Sequence, residues 1–165
     1  MKFKPIPPAP DDFGYVARVQ RAVPLVPGTE DDCCARLVDR IGVDRDAART
    51  WLTFLRALEL VAETPSGYRR TDVEPTVAGC REALLDRVFA AEAVHEALAA
   101  TGPLTAADAF DAVRERVPAW ERHRDAAWTA VWRDRVADLL DWLVLLEAAE
   151  RVDGRGDDPP QYRLA

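Results

Sequence analysis

Residues 41–71 read IGVDRDAARTWLTFLRALELVAETPSGYRRT, and three changes of pattern inside this stretch set the fold. Gly42 stops the helical pattern before it, since glycine tolerates the left-handed conformation that closes a helix. Asp44 caps a new helix whose apolar face is Ala48, Trp51, Leu52, Leu55 and Leu58, at spacings of three and four. Leu60 and Val61 begin a short strand, Pro65-Ser66-Gly67 turns the chain, and Tyr68 to Thr71 returns as its partner.

Upstream, Pro5, Pro7, Pro8 and Pro10 predict an extended arm over residues 1–12. A helix begins after Asp11 and Asp12 and runs to about Val23, where Pro24 and Pro27 end it. Thr29 with Asp32 forms a capping pattern, and Cys33, Cys34, Leu37, Val38 and Ile41 then recur at helical spacing. Helix, helix, tight turn, helix and hairpin in this order resemble the winged helix-turn-helix superfamily over about residues 13–72. Ile41-Gly42-Val43-Asp44 stands as the turn, Arg49 to Leu60 as the third helix and Val61 to Thr71 as the wing.

Downstream, a connector at Asp72 to Pro75 leads into a helix expected from about Pro75 to Ala100, stopped by Thr101-Gly102-Pro103. Thr105 with Asp108 repeats the cap, and Ala109, Phe110, Val113 and Val117 continue a helix that Pro118 interrupts. A long helix is expected from about Asp125 to Glu150, lined by Trp128, Val131, Trp132, Val136, Leu139, Leu143 and Leu146. After a turn-rich loop, Gln161 to Leu164 reads as a closing strand. Phe54-Leu55 and Leu58-Glu59 match Trp142-Leu143 and Leu146-Glu147 at constant offset, and Tyr68-Arg69 matches Tyr162-Arg163. The expected fold is mainly α with short β-hairpin wings: two winged-helix units in tandem, residues 13–75 and 76–165. The second is remodelled around its long C-terminal helix.

The chain has 165 residues, 48% hydrophobic and 31% charged, which suits a packed core and excludes wholesale disorder. Acidic residues outnumber basic ones 29 to 22. Aspartate dominates glutamate 18 to 11, and there are 20 arginines but only Lys2 and Lys4. Few lysine methylenes and many hydrated aspartates resemble the proteins of extremely halophilic archaea. At ~1 M salt the Debye length is only ~3 Å, so an acidic balance there does not argue against nucleic-acid binding. No apolar run approaches a membrane helix, and MKFKPIPPAP lacks the apolar segment of a signal peptide, so a soluble, cytoplasmic protein is expected. Cys33, Cys34 and Cys80 are odd in number and form no CxxC pair, which predicts small buried hydrophobes and no metal site.

The winged-helix resemblance implies that the first residues of the third helix meet base edges of double-stranded DNA. Those positions are Arg45, Asp46, Arg49, Thr50 and Thr53, opposite the apolar face. Arg49 suits a guanine, and Thr50 and Thr53 a phosphate or thymine methyl. Arg69 and Arg70 on the wing, with Arg36 and Arg40 one turn apart on the preceding helix, are expected on phosphates. The corresponding positions of the second half are Arg133, Asp134, Arg135 and Asp138, whose carboxylates repel phosphate. Residues 1–75 hold 11 basic and 12 acidic residues against 11 and 17 in residues 76–165, so the second half is the poorer DNA reader. A helix apolar on two sides there predicts a homodimer or partner interface through Trp128, Trp132, Trp142 and Leu145.

His95 and His123 lie far apart in no catalytic motif, the glycines form no phosphate loop, and the paired aspartates sit at caps and loops. No cofactor and no catalytic set are expected. The leading expectation is a DNA-binding transcriptional regulator. The alternative is a non-catalytic adaptor of winged-helix fold, in which neighbouring aspartates such as Asp39, Asp44 and Asp46 neutralise the same arginines.

Overall fold

In the computed structural model, which describes residues 2–165, the chain leaves an extended arm and enters α1 (Gly14–Ala22). Thr29 Oγ1 accepts from Asp32 N–H at 3.1 Å and starts α2 (Glu30–Ile41), which Gly42 closes at φ +84°. Asp44 Oδ1 accepts from Ala47 N–H at 2.8 Å and starts α3 (Arg45–Ala57). Strands β1 (Val61–Thr64) and β2 (Gly67–Arg70) pair antiparallel, with Val61 opposite Arg70 and Thr64 opposite Gly67. The loop before α2 adds a third rung: Gly28 and Tyr68 exchange backbone hydrogen bonds of 2.9 and 2.8 Å. Gly67 has φ +128°, and a Cβ there would lie 2.3 Å from the Gly28 carbonyl oxygen, so only glycine fits this crossing.

Val16, Val19, Leu37, Leu52, Phe54 and Leu55 fill the space between the three helices. Cys33, Cys34 and Cys80 are buried free thiols, and burial pushes Cys80 up to about 11. Gln20 is the buried polar residue of this core. Its amide donates to Leu60 O at 3.2 Å and Val73 O at 2.8 Å, tying α1 to both ends of the hairpin.

The helix expected over 75–100 is two helices, α4 (Val77–Arg87) and α5 (Ala91–Thr101). Between them Val88 is extended and Ala90 is left-handed at φ +70°. The tertiary partner of the break is the arm: Phe3 bridges Val88 and donates its N–H to Arg87 O at 2.8 Å. No glycine or proline marks the site, so local pattern continues where the structure stops. The first compact unit accordingly ends at Val88, and the second is Phe89–Ala165.

The second unit follows α5 with β3 (Leu104–Thr105), α6 (Ala106–Val113), a 3-10 turn at Arg114–Arg116 and α7 (Ala119–Arg124). Then come α8 (Trp128–Leu145), β4 (Ala149–Val152) and β5 (Gln161–Leu164), in an antiparallel sheet ordered β3-β5-β4. Thr105 and Asp108 form the full capping box on α6. The segment after Pro118, between the two helices expected there, forms α7. The long helix ends at Leu145 rather than Glu150, because Ala149 and Glu150 belong to β4.

What stops α8 also stops α3. Glu147 at φ +60° and Glu59 at φ +63° are left-handed. Ala148 N–H donates to Leu143 O at 2.8 Å and Glu147 N–H to Val144 O at 3.1 Å. Leu60 and Glu59 do the same to Leu55 O and Arg56 O, at 2.9 and 3.1 Å. Both are Schellman closures with glutamate where glycine is usual. The two units thus share a threonine cap on their second helix, a left-handed glutamate after their third, and a tyrosine (Tyr68, Tyr162) on the return strand opposite the segment before that cap. Glu147 is exposed, so Glu147→Gly removes backbone strain without loss of packing. It is expected to add about 1 kcal/mol, or roughly 2–4 °C in Tm, in a thermal melt followed by circular dichroism in molar KCl.

Candidate nucleic-acid interface

The packing of α2 on α3 places the first turns of both helices side by side. Arg45 and Arg49 project from α3 with side chains 53% and 55% exposed. Each meets a carboxylate of α2: Arg45 Nη2 lies 2.6 Å from Asp31 Oδ1, and Arg49 Nε lies 3.1 Å from Glu30 Oε1. Thr50 Oγ1 donates back to Asp46 O at 3.1 Å, within α3 itself, and Thr53 is half-buried on the same helix. Exposed pairs of this kind contribute about 0–1 kcal/mol, so they orient the arginines more than they stabilise the fold.

Two of the arginines expected on phosphates have other work. Arg36 Nε donates to Ala22 O at 2.9 Å, and Arg70 Nη1 to Arg21 O at 3.4 Å. Both cover carbonyls at the C-terminus of α1, where a helix favours cations. Arg70 Nε is buried without a partner among the described residues. Arg69 Nη1 reaches only the neighbouring Arg70 O, at 3.4 Å, and Arg40 is exposed in the last turn of α2. The residues brought together are therefore Arg45 and Arg49, with Glu30 and Asp31 beside them. Glu30 escaped sequence reasoning because it lies 19 residues from Arg49, beyond any local periodicity.

An open cleft of about 360 Å³ lies elsewhere in this unit, against Phe3, Arg56 and Arg87. The Phe3 ring has the Arg56 guanidinium at 5.4 Å and that of Arg87 at 5.3 Å. Glu63 pairs with Arg56 at 2.6 Å and Glu59 with Arg87 at 2.9 Å, which leaves the cleft balanced in charge.

In the second unit Arg114, Arg122, Arg133 and Arg135 lie over aromatic rings. Arg133 stands 5.8 Å from the Phe110 centroid and Arg135 4.8 Å from that of Trp132. Arg114 and Arg122 each stand 5.7 Å from that of Trp128. Trp132 and Trp142 are buried, at 3% and 0% exposure, so neither offers a surface to a second chain; Trp128 and Leu145 remain partly exposed. Truncating Trp142 opens a core cavity instead of loosening a seam. The sequence placed Trp142 on an outer face because α8 is apolar on two sides; α5, α6 and β4 pack against the helix.

The chain belongs to the family of halobacterial double winged helix domains, whose family model matches residues 1–161. The sequence is thus a tandem winged helix of halophilic archaeal type, and the broad role associated with this fold is DNA binding or regulation. No curated protein and no solved structure matches the chain. Among the described residues no helix is long and apolar enough to cross a membrane, and no cluster of ligand side chains is placed to hold a metal ion.

One carboxylate of α8 is displaced from its usual range. Asp138 is pushed up to about 6, first by lost hydration and then by Asp141 and Asp134. Asp141 accepts from Tyr162 Oη at 2.8 Å, and burial together with that hydrogen bond pushes Tyr162 up to about 12. With its folded-state value above the unfolded one, Asp138 adds stability below the ordinary 3.8, and that stability is lost as pH rises through about 6. Asp138→Asn is expected to leave Tm unchanged below the lower value and to raise it above the upper one. The gain is about 1 kcal/mol at most once solvent screening is allowed for, and melts across a pH series measure it.

Proposed function

We propose that this protein is a DNA-binding transcriptional regulator of the archaeal cytoplasm, whose first winged helix contacts double-stranded DNA. The observation that carries the reading is Arg49. It stands on the exposed face of α3, and the terminal nitrogens of its guanidinium have no partner among the described residues. A planar fork at that position of a reading helix suits the O6 and N7 acceptors of guanine in the major groove. Arg69 on the wing and Arg40 at the end of α2 remain available to phosphates. Arg45, Thr50 and Thr53 complete the α3 face, and Arg36 and Arg70 support it through α1. The second unit serves dimerisation or a partner protein, since its corresponding arginines lie against Phe110 and Trp132.

A second reading, an adaptor without DNA contact, is favoured by one specific observation. Glu30 and Asp31 neutralise Arg49 and Arg45, and α2 opens with three acidic residues in a row. Fluorescence anisotropy on mixed genomic duplexes across a KCl series, with circular dichroism at each point, separates the two. The DNA reading predicts binding that weakens as salt rises, and a loss of at least about tenfold in Arg49→Ala combined with Arg69→Ala. Absence of binding wherever the chain is folded selects the adaptor.

A further inference from the structure

We infer that Glu30 is a positioning residue for base reading: it holds Arg49 from behind as a forward-facing fork. The inference rests on the DNA reading above and concerns how that site obtains its specificity.

The two ion pairs differ in which nitrogen they use. A guanidinium offers a side edge that includes Nε and an end edge made of the two terminal nitrogens. Glu30 Oε1 takes Nε of Arg49 at 3.1 Å, so the end edge stays open. Asp31 Oδ1 takes Nη2 of Arg45 at 2.6 Å, a terminal nitrogen that the side and end edges share. Bidentate recognition of guanine needs two parallel donors, and Arg49 presents them on its open end edge.

Glu30 is well placed to act as a fixed support. It is the first residue of α2, its backbone anchored by the Thr29 cap and its charge favoured by the helix N-terminus. In water the pair is half-exposed, with side-chain exposures of 55% and 46%. Seating α3 against a groove removes that water and strengthens the hold on Nε as the base is read. A pre-oriented arginine surrenders less side-chain freedom on binding, an advantage of about five- to tenfold in affinity that arises only where a guanine meets the fork.

The test uses the full chain and duplexes selected by it from a randomised pool. The quantity read is the affinity for a selected duplex divided by that for a scrambled one of equal composition. Anisotropy is recorded in KCl at which circular dichroism shows the native fold. Glu30→Ala is expected to lower the ratio about tenfold, while scrambled DNA is bound no more weakly, because a negative charge has been removed. Glu30→Gln keeps an oxygen acceptor for Nε and is expected to hold the ratio within about twofold of wild type.

If Glu30→Ala tightens selected and scrambled DNA alike, Glu30 only subtracts charge and the positioning role falls while the DNA reading stands. The positioning role falls in the same way if Glu30→Gln behaves as Glu30→Ala does, or if the wild-type ratio is near one. If the wild-type chain retains no duplex from the pool, the DNA reading fails and takes the inference with it.

Discussion

The geometry of each unit depends on a left-handed residue that ends its third helix. Glu59 and Glu147 turn the chain within two hydrogen bonds, so that the helix passes into the first wing strand almost without a loop. The return strand then lands with its tyrosine against the segment preceding the second helix, at Gly28 in one unit and Leu104 in the other. That pairing fixes where Thr29 and Thr105 cap their helices. In the first unit it also fixes where Glu30 and Asp31 emerge beside α3. The orientation of Arg49 thus traces back to a backbone closure ten residues after it, on the far end of the same helix.

The two units start from one plan and use their arginines differently. In the first, Arg45 and Arg49 face outward with carboxylates at their sides. In the second, the exposed Arg133 and the half-buried Arg135 lie over the rings of Phe110 and Trp132, where cation–π attraction engages their guanidinium groups. The halophilic character of the chain sharpens this division. Where salt screens charges beyond ~3 Å, long-range attraction to a phosphate backbone contributes little. Direct hydrogen bonds at 2.6–3.1 Å, such as those holding Arg45 and Arg49, persist. A DNA reader in such a medium would depend on contact geometry, the part proposed above for the Glu30–Arg49 pair.

Much of the fold is legible in the sequence because it is encoded locally. Thr29, Asp44 and Thr105 cap where their types and spacings say they should, and Gly42 and Gly67 take the positive φ values a helix stop and a tight turn require. The offset between Leu58-Glu59 and Leu146-Glu147 reveals the repeat. The breaks that escape detection have distant causes. The chain leaves helix at Val88 to meet Phe3, and α8 ends at a glutamate, a residue that elsewhere favours helix. The site is legible as a set of arginines but not in the roles they take. Arg36 and Arg70 cover carbonyls of α1, and Arg49 meets Glu30 of the preceding helix. Such choices arise from packing between helices, which no spacing records.

The central claim is that DNA recognition belongs to the first unit alone and is carried by Arg49. Nitrogen-15 NMR of the arginine Nε–H groups, followed while a genomic duplex is titrated in, tests it residue by residue. The Arg49 resonance is predicted to shift early and saturate, while those of Arg133 and Arg135 stay in place. Shifts confined to Arg133 and Arg135, or a duplex that binds without moving Arg49, would contradict it.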